Sequence, residues 1–318
     1  MKYNKSVTDR LEFLDRNYEQ IVSYHLFDNE KIALGDKSNR KCRFCDKSEN
    51  KTTFKNKAHA IPEFIGNKTL VTFYECDACN TKFSKLLESQ MANCFNLWHT
   101  VSQIKGKNGV PSFKTNQKKS RIDVRELNVE IINNESDQLA NYDDIKKTLV
   151  LKAKKATYIP IAVYKCLVKM ALTIMPVDEL KNFQTTIAWI NENEHINSPH
   201  NLKSLFILRT LVYGINPFPF VSCTLWRRKF DALDSVPFMI FMVTYGNFAF
   251  QVHLPLCIED IKLINSEVKM IYIPTYIDTD ENFNEITREK LNFNSKQPIK
   301  GEIETIEMRF KSIEPLII

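Results

Sequence analysis

The sequence predicts an α+β protein in two parts: a small cysteine-stapled module at the N-terminus, then a larger unit whose helices come first and whose strands follow as an antiparallel sheet. Three observations predict this. Cys42-Arg43-Phe44-Cys45 and Cys76-Asp77-Ala78-Cys79 form two CxxC pairs with 30 residues between them. Over 161–213, apolar residues recur at helical spacing. From 221 onward the apolar segments shorten, alternate and are separated by turn residues.

Taken in order, 8–34 reads as a helix, with Leu11, Leu14, Tyr18, Ile21, Val22 and Leu26 on one face and Thr8 as its N-cap. A basic loop, 35–41, leads into short segments between the cysteines. A helix is expected to open at Asp77 and run past Glu88 towards Asn96, with Phe83, Leu86, Leu87 and Met91 facing inward. A turn-rich basic loop, 106–119, follows. Alternation over 121–132 predicts one strand, and 133–147 is polar connection. Helices are expected at 161–175, 177–192 and 202–213. Pro217 and Pro219 bend the chain at 215–220. Strands are expected at 221–227, 238–245, 248–254, 270–277 and 302–312, with Tyr245-Gly246-Asn247 as a hairpin turn. The expected division is 1–125 and 126–318. The second part is large and apolar enough to carry its own core, and is a candidate for sensing, regulation or self-association into a homo-oligomer.

Composition narrows the function. Of 318 residues, 43% are apolar and 26% charged, which excludes a largely disordered chain. Only 7 glycines are present, and neither GxGxxG nor GxxxxGK[ST] occurs, so a glycine-rich phosphate cradle is excluded. No apolar run is long enough to span a bilayer, and the first twenty residues lack a signal-peptide core. A cytoplasmic protein with no membrane partner is expected, and its cysteines are then reduced. The net charge of +6 is uneven. Residues 1–125 carry 23 Lys and Arg against 14 Asp and Glu, whereas 126–318 carry 21 against 24. A basic front joined to a near-neutral back suits a polyanionic partner.

In a reduced chain, paired cysteines point to metal before disulfide. Each CxxC offers two thiolates from one turn, and two such pairs complete a tetrahedral four-sulfur site for structural Zn²⁺ at Cys42, Cys45, Cys76 and Cys79. Cys94, Cys166, Cys223 and Cys257 stand singly among apolar residues and read as buried side chains.

Between and beyond the pairs lie Ala58-His59-Ala60-Ile61-Pro62-Glu63, Gly66-Asn67, Asn80 directly after Cys79, and Glu88. Together, over roughly 40–95, these residues resemble the HNH endonucleases of the ββα-metal (treble-clef) type, in the branch that runs CxxC, His-x-Ile-Pro, Gly-Asn, CxxCN. The resemblance implies a metal-dependent hydrolase of phosphodiester bonds in nucleic acid, DNA before RNA. It implies His59 as general base and Asn67 as the residue that holds the loop carrying it. Asn80 stands in place of the final His, and Asn80 with Glu88 would bind a catalytic Mg²⁺ or Mn²⁺. One departure stands out: Ala58 occupies the place where many relatives carry a ligating carboxylate, and Glu63 or Glu88 would have to compensate. Arg43, Lys55, Lys57, Lys105 and Lys107 are candidate contacts to the nucleic-acid backbone, which position a duplex without reading its sequence. By analogy with bacterial HNH modules joined to a second domain, a phage-defence effector is the biological setting implied. The alternative is a non-catalytic, zinc-stabilised nucleic-acid-binding protein, which Ala58 favours.

In the second part, Lys165 and Lys169 share a face of an apolar helix and are expected to snorkel to solvent. Trp226-Arg227-Arg228-Lys229 is expected to be a solvated strand end. His253 reads as a core histidine, His195 and His200 as exposed loop residues, and His99 as a minor candidate for an extra metal ligand.

Overall fold

The computed structural model describes residues 6–125, 128–195, 202, 205–263, 266–283, 285–312 and 314. Helix and sheet are mixed, and a four-cysteine cluster lies near the N-terminus. The first helix, Val7–Asn17, is capped by Ser6: its hydroxyl accepts from the Asp9 backbone while the Asp9 carboxylate accepts from the Ser6 backbone. The expected cap, Thr8, lies inside the helix, and the helix does not reach 34. The chain instead turns into a strand, Tyr18–Leu26. Tyr18, Ile21, Val22 and Tyr24 suit a pleated surface, and pairing with Phe218–Arg228, from Tyr18 opposite Arg228 to Leu26 opposite Val221, overrides the helical pattern.

That strand is one edge of a six-stranded antiparallel sheet. Across the sheet the order is Tyr18–Leu26, Phe218–Arg228, Met239–Gly246, Phe248–His253, Phe206–Val212 and Ile286–Asn292. The opening of the chain is thus built into the sheet of the back half. Tyr245 pairs with Phe248, so Gly246 and Asn247 form the two-residue turn expected there, with Gly246 at φ 52°. Residues 206–212, expected as a helix, form a strand buried along its whole length. A strand covered on both faces reads as an unbroken apolar run, which periodicity does not separate from a helix. The strand expected at 270–277 is irregular chain whose Met270, Ile271 and Ile273 still enter the core. The outermost strand, Ile286–Asn292, was masked in the sequence by its charged residues, Arg288, Glu289 and Lys290.

Two smaller corrections concern the rest of the chain. Residues 121–132 form a hairpin of Arg121–Arg125 and Asn128–Ile132, not one strand. The segment 177–192 is a 3₁₀ turn, Val177–Phe183, followed by a short helix, Gln184–Ile190. Ile303–Arg309 pairs with Thr148–Lys154, apart from the main sheet.

The helix Pro160–Ile174 is buried at all fifteen positions. It packs on one side against the strands Met239–Gly246 and Phe248–His253, and on the other against the helix Ser89–Val101. One hydrophobic cluster therefore runs from Phe83, Met91 and Trp98 through Tyr164 and Leu167 to Phe241 and Phe250. A second, with Leu14, Tyr18, Ile240 and Met242, covers the opposite sheet face. Among the described residues, no helix is long and apolar enough to cross a membrane.

Candidate metal and nuclease site

The ligand sulfurs of Cys42, Cys45, Cys76 and Cys79 lie within 4.8 Å of one another. Cys45 Sγ and Cys76 Sγ are 3.7 Å apart. A tetrahedron built on Zn–S bonds of roughly 2.3 Å has edges of about 3.8 Å, so four sulfurs at this spacing fit Zn²⁺. A hydrogen bond from the Cys79 thiol pulls Cys42 down, and the same bond pushes Cys79 up, so the two sulfurs share one proton that a bound metal ion would replace. Among the described residues this is the one cluster of His, Cys, Asp or Glu with metal-holding geometry. Cys94, Cys166, Cys223 and Cys257 are buried singly, as expected.

The second cysteine pair opens a helix. Asp77–Phe83 continues through a π-helical turn, Ser84–Glu88, into Ser89–Val101. Asp77 accepts from the Thr53 hydroxyl and from the backbones of Lys55 and Asn56, which moors the preceding loop to the helix start. From that loop the chain enters a two-residue strand, Ala58–His59, paired antiparallel with Leu70–Thr72. Asn67 closes the loop between them and is fully buried. Its amide donates to the carbonyls of Ile61 and Leu70, and its Oδ1 accepts from the backbones of Thr69 and Leu70. Gly66, at φ 101°, makes the turn before it, in the left-handed region that suits glycine.

His59 stands at the strand end with 12% of its side chain exposed, and its Nε2 lies 3.9 Å from Glu63 Oε1. Nδ1 is buried without a hydrogen-bond partner. Burial pulls the imidazole below its ordinary pKa, while Glu63 and Glu88 act in the opposite direction. Asn80 is half-buried in the first turn after Cys79. Glu88, 20% exposed, ends the π-helical turn, an irregularity that tends to occur at functional sites.

The structure adds residues that the sequence did not assign to this site. Lys169 does not snorkel. It is wholly buried, with Nζ 2.9 Å from Glu75 and 3.7 Å from Glu88. Burial raises the Glu75 carboxyl to about 6, against the pull of Lys169. Lys165 is equally buried and turns away, to the Trp189 carbonyl and Glu192. The visible signal was two lysines four apart on a helix otherwise without a charge.

Of the five expected backbone contacts, Lys55, Lys57, Lys105 and Lys107 are exposed. Arg43 is placed differently: its guanidinium donates to the carbonyls of Leu172, Thr173 and Met175 and lies 3.7 Å from the Tyr74 ring centre. The cationic run at 227–229 is engaged as well: Arg227 with Glu19 and Glu179, Arg228 with Asp260, Lys229 with Asp15. His99 is buried against the Tyr245 hydroxyl and joins no metal cluster, and His253 is a core residue bonded to Tyr164. His195 is buried, not exposed, and His200 lies outside the described residues.

Residues 42–96 match the family model of the HNH endonucleases. The HNH segment contains both cysteine pairs, His59, Asn67, Asn80 and Glu88, and it ends inside the helix Ser89–Val101. No curated protein and no solved structure matches the chain.

Proposed function

We propose that the chain is an HNH-type endonuclease that hydrolyses phosphodiester bonds in nucleic acid, DNA before RNA. The observation that carries this is the placement of His59 at the end of a short strand, between a cysteine-anchored helix and the Asn67-fastened loop, within the HNH segment. In this reading the hairpin Ala58–Thr72 and the helix from Asp77 form a ββα-metal unit of the treble-clef type, stapled by Zn²⁺. His59 accepts a proton from the attacking water. Asn67 keeps the strand end and loop in register, so that the imidazole faces the phosphorus.

Asn80 and Glu88 would hold a divalent ion. One carboxylate, one amide oxygen, waters and phosphate oxygens are a donor set Mg²⁺ accepts. Such an ion, when bound, supplies Lewis-acid stabilisation of the charge on the phosphate and leaving oxygen. Lys55, Lys57, Lys105 and Lys107 would grip the backbone and set register without reading bases, giving little sequence preference. A phage-defence role rests only on the analogy of an HNH unit joined to a larger partner.

Ala58 and the Lys169–Glu88 contact favour a second reading, in which the module binds nucleic acid without cutting it. Supercoiled plasmid incubated with the protein and Mg²⁺ or Mn²⁺ separates the two. Nicking that falls by ~10²–10⁴-fold in His59→Ala, at similar DNA affinity, is the expected result. Equal cutting by His59→Ala would overturn the assignment of the base, and no cutting by the parent would leave the binder as the better account.

A further inference from the structure

We infer that Lys169, which the back half contributes, is a positioning residue of the nuclease centre: its ammonium joins the buried Glu75, the Glu88 carboxylate and the His59 backbone into one fixed unit. The inference rests on the nuclease reading and extends it to a residue outside the HNH segment. Nζ of Lys169 lies 2.9 Å from Glu75 Oε2 and 3.7 Å from Glu88 Oε1, and it faces the His59 carbonyl oxygen at 3.5 Å. Lys169 and Glu75 have no exposed side-chain surface, and Glu88 keeps 20%.

These three partners come from different elements. His59 is on the short strand, Glu75 precedes the second cysteine pair, and Glu88 ends the π-helical turn. A single cation thus spans the two sides of the centre, the strand carrying the proposed base and the helix carrying the proposed ion ligand. Stability alone does not account for it. A buried ion pair loses hydration on both sides, and apolar residues of similar volume often stabilise a core as well or better. What the charge does that methyl groups cannot is hold an acceptor from each side at a fixed distance. Misplacement of reacting groups by about 1 Å can cost ~10²-fold in rate, so such a brace bears on turnover more than on binding.

The experiment uses the full chain. Lys169→Met with Glu75→Leu removes the ion pair while filling its volume, so no unpaired charge is left in the core. Expected is a folded protein whose DNA affinity and KM match the parent, with kcat down ~10²-fold. Carbon-13 NMR of labelled histidine gives a readout independent of cutting. The His59 ring signal, identified by its loss in His59→Gln, should move or broaden, while that of the exposed His25 stays. Lys165→Met with Glu192→Gln is the control: an equally buried lysine on the same helix, expected to alter stability but neither kcat nor the His59 signal. Parent-like kcat and an unmoved His59 signal in the Lys169 variant overturn the inference. If the parent does not cut, the nuclease reading fails, while the NMR signal still decides whether Lys169 positions His59. Should the double variant unfold, Glu75→Gln decides, because it weakens one anchor and leaves the rest: a shifted His59 signal supports the brace, and an unshifted one overturns it.

Discussion

Arg43, the residue after the first of the four clustered cysteines, donates to the carbonyl of Thr173 at 2.9 Å. It also reaches Leu172 and Met175, so one guanidinium satisfies three carbonyls at the C-terminus of a fully buried helix that would otherwise lack partners. All three bonds leave from one nitrogen, Nη1, while Nε and Nη2 are buried without partners, so it is the flat stacking on the Tyr74 ring that suits arginine and not lysine. Arg43→Ala is therefore expected to cost about 2–4 kcal/mol in denaturant unfolding, since bonds from charged donors contribute ~1.5–3 kcal/mol each and are not additive. The salt dependence of DNA binding should stay that of the parent. A reduced slope would instead place Arg43 on the phosphate backbone.

Metal removal gives the second prediction. One equivalent of zinc per chain is expected by elemental analysis, and Cys76→Ser should lose it. Because binding free energy here is folding free energy, a chelator should expose the buried Phe44 and Phe83 and lower the melting temperature. Folded protein without zinc in such an analysis would remove the structural metal from this account.

Asn67 carries the third. Its side chain makes four hydrogen bonds with no exposure, so Asn67→Ala strands the Thr69 and Leu70 amides and the Ile61 carbonyl, while the Leu70 carbonyl keeps the Ala60 amide. The expected cost is about 2–4 kcal/mol. Cleavage should fall further than DNA affinity, because the loop connects directly to the His59 strand. Single-turnover cutting beside filter binding separates the two effects.

A pH dependence follows from His99. Full burial lowers its pKa to about 3, so it stays neutral in the fold while the unfolded chain takes up a proton near 6.5. A depressed pKa contributes stability that is present above 6.5 and is lost as pH falls towards about 3. At pH 5 the loss from this one group amounts to about 2 kcal/mol. Urea unfolding of the parent and of His99→Gln at pH 7 and pH 5 should show a smaller loss of stability in the variant. Equal losses would mean that the ring is protonated in the native state.

The cysteine spacing, His59-x-Ile-Pro and Gly66-Asn67 were legible because metal sites and tight loops are set by local spacing. The long helix from Asp77 and the buried helix ending at Ile174 were legible because their apolar periodicity is strong. What stayed hidden depends on distant partners. Tyr18–Leu26 has helical spacing and becomes a strand only because Phe218–Arg228 lies beside it. Phe206–Val212 is apolar at both faces, so no period marks it. Arg43 and Lys169 looked like surface cations. Their acceptors, at Thr173 on one side and Glu75 on the other, lie about a hundred residues away in sequence.

The pairing of Tyr18 with Arg228 also has a temporal side. During synthesis the first strand emerges some two hundred residues before its neighbour, which at ~5–20 residues per second is a wait of roughly 10–40 s. The buried helix that receives Arg43 and supplies Lys169 is likewise made well after the cysteines. Loop closure over such spans is slow, so the sheet forms late. The nascent chain thus carries its four clustered cysteines and His59 long before the contacts of Arg43 and Lys169 can form, and a ribosome stalled short of Lys169 would display an HNH segment still without its partners from the back half.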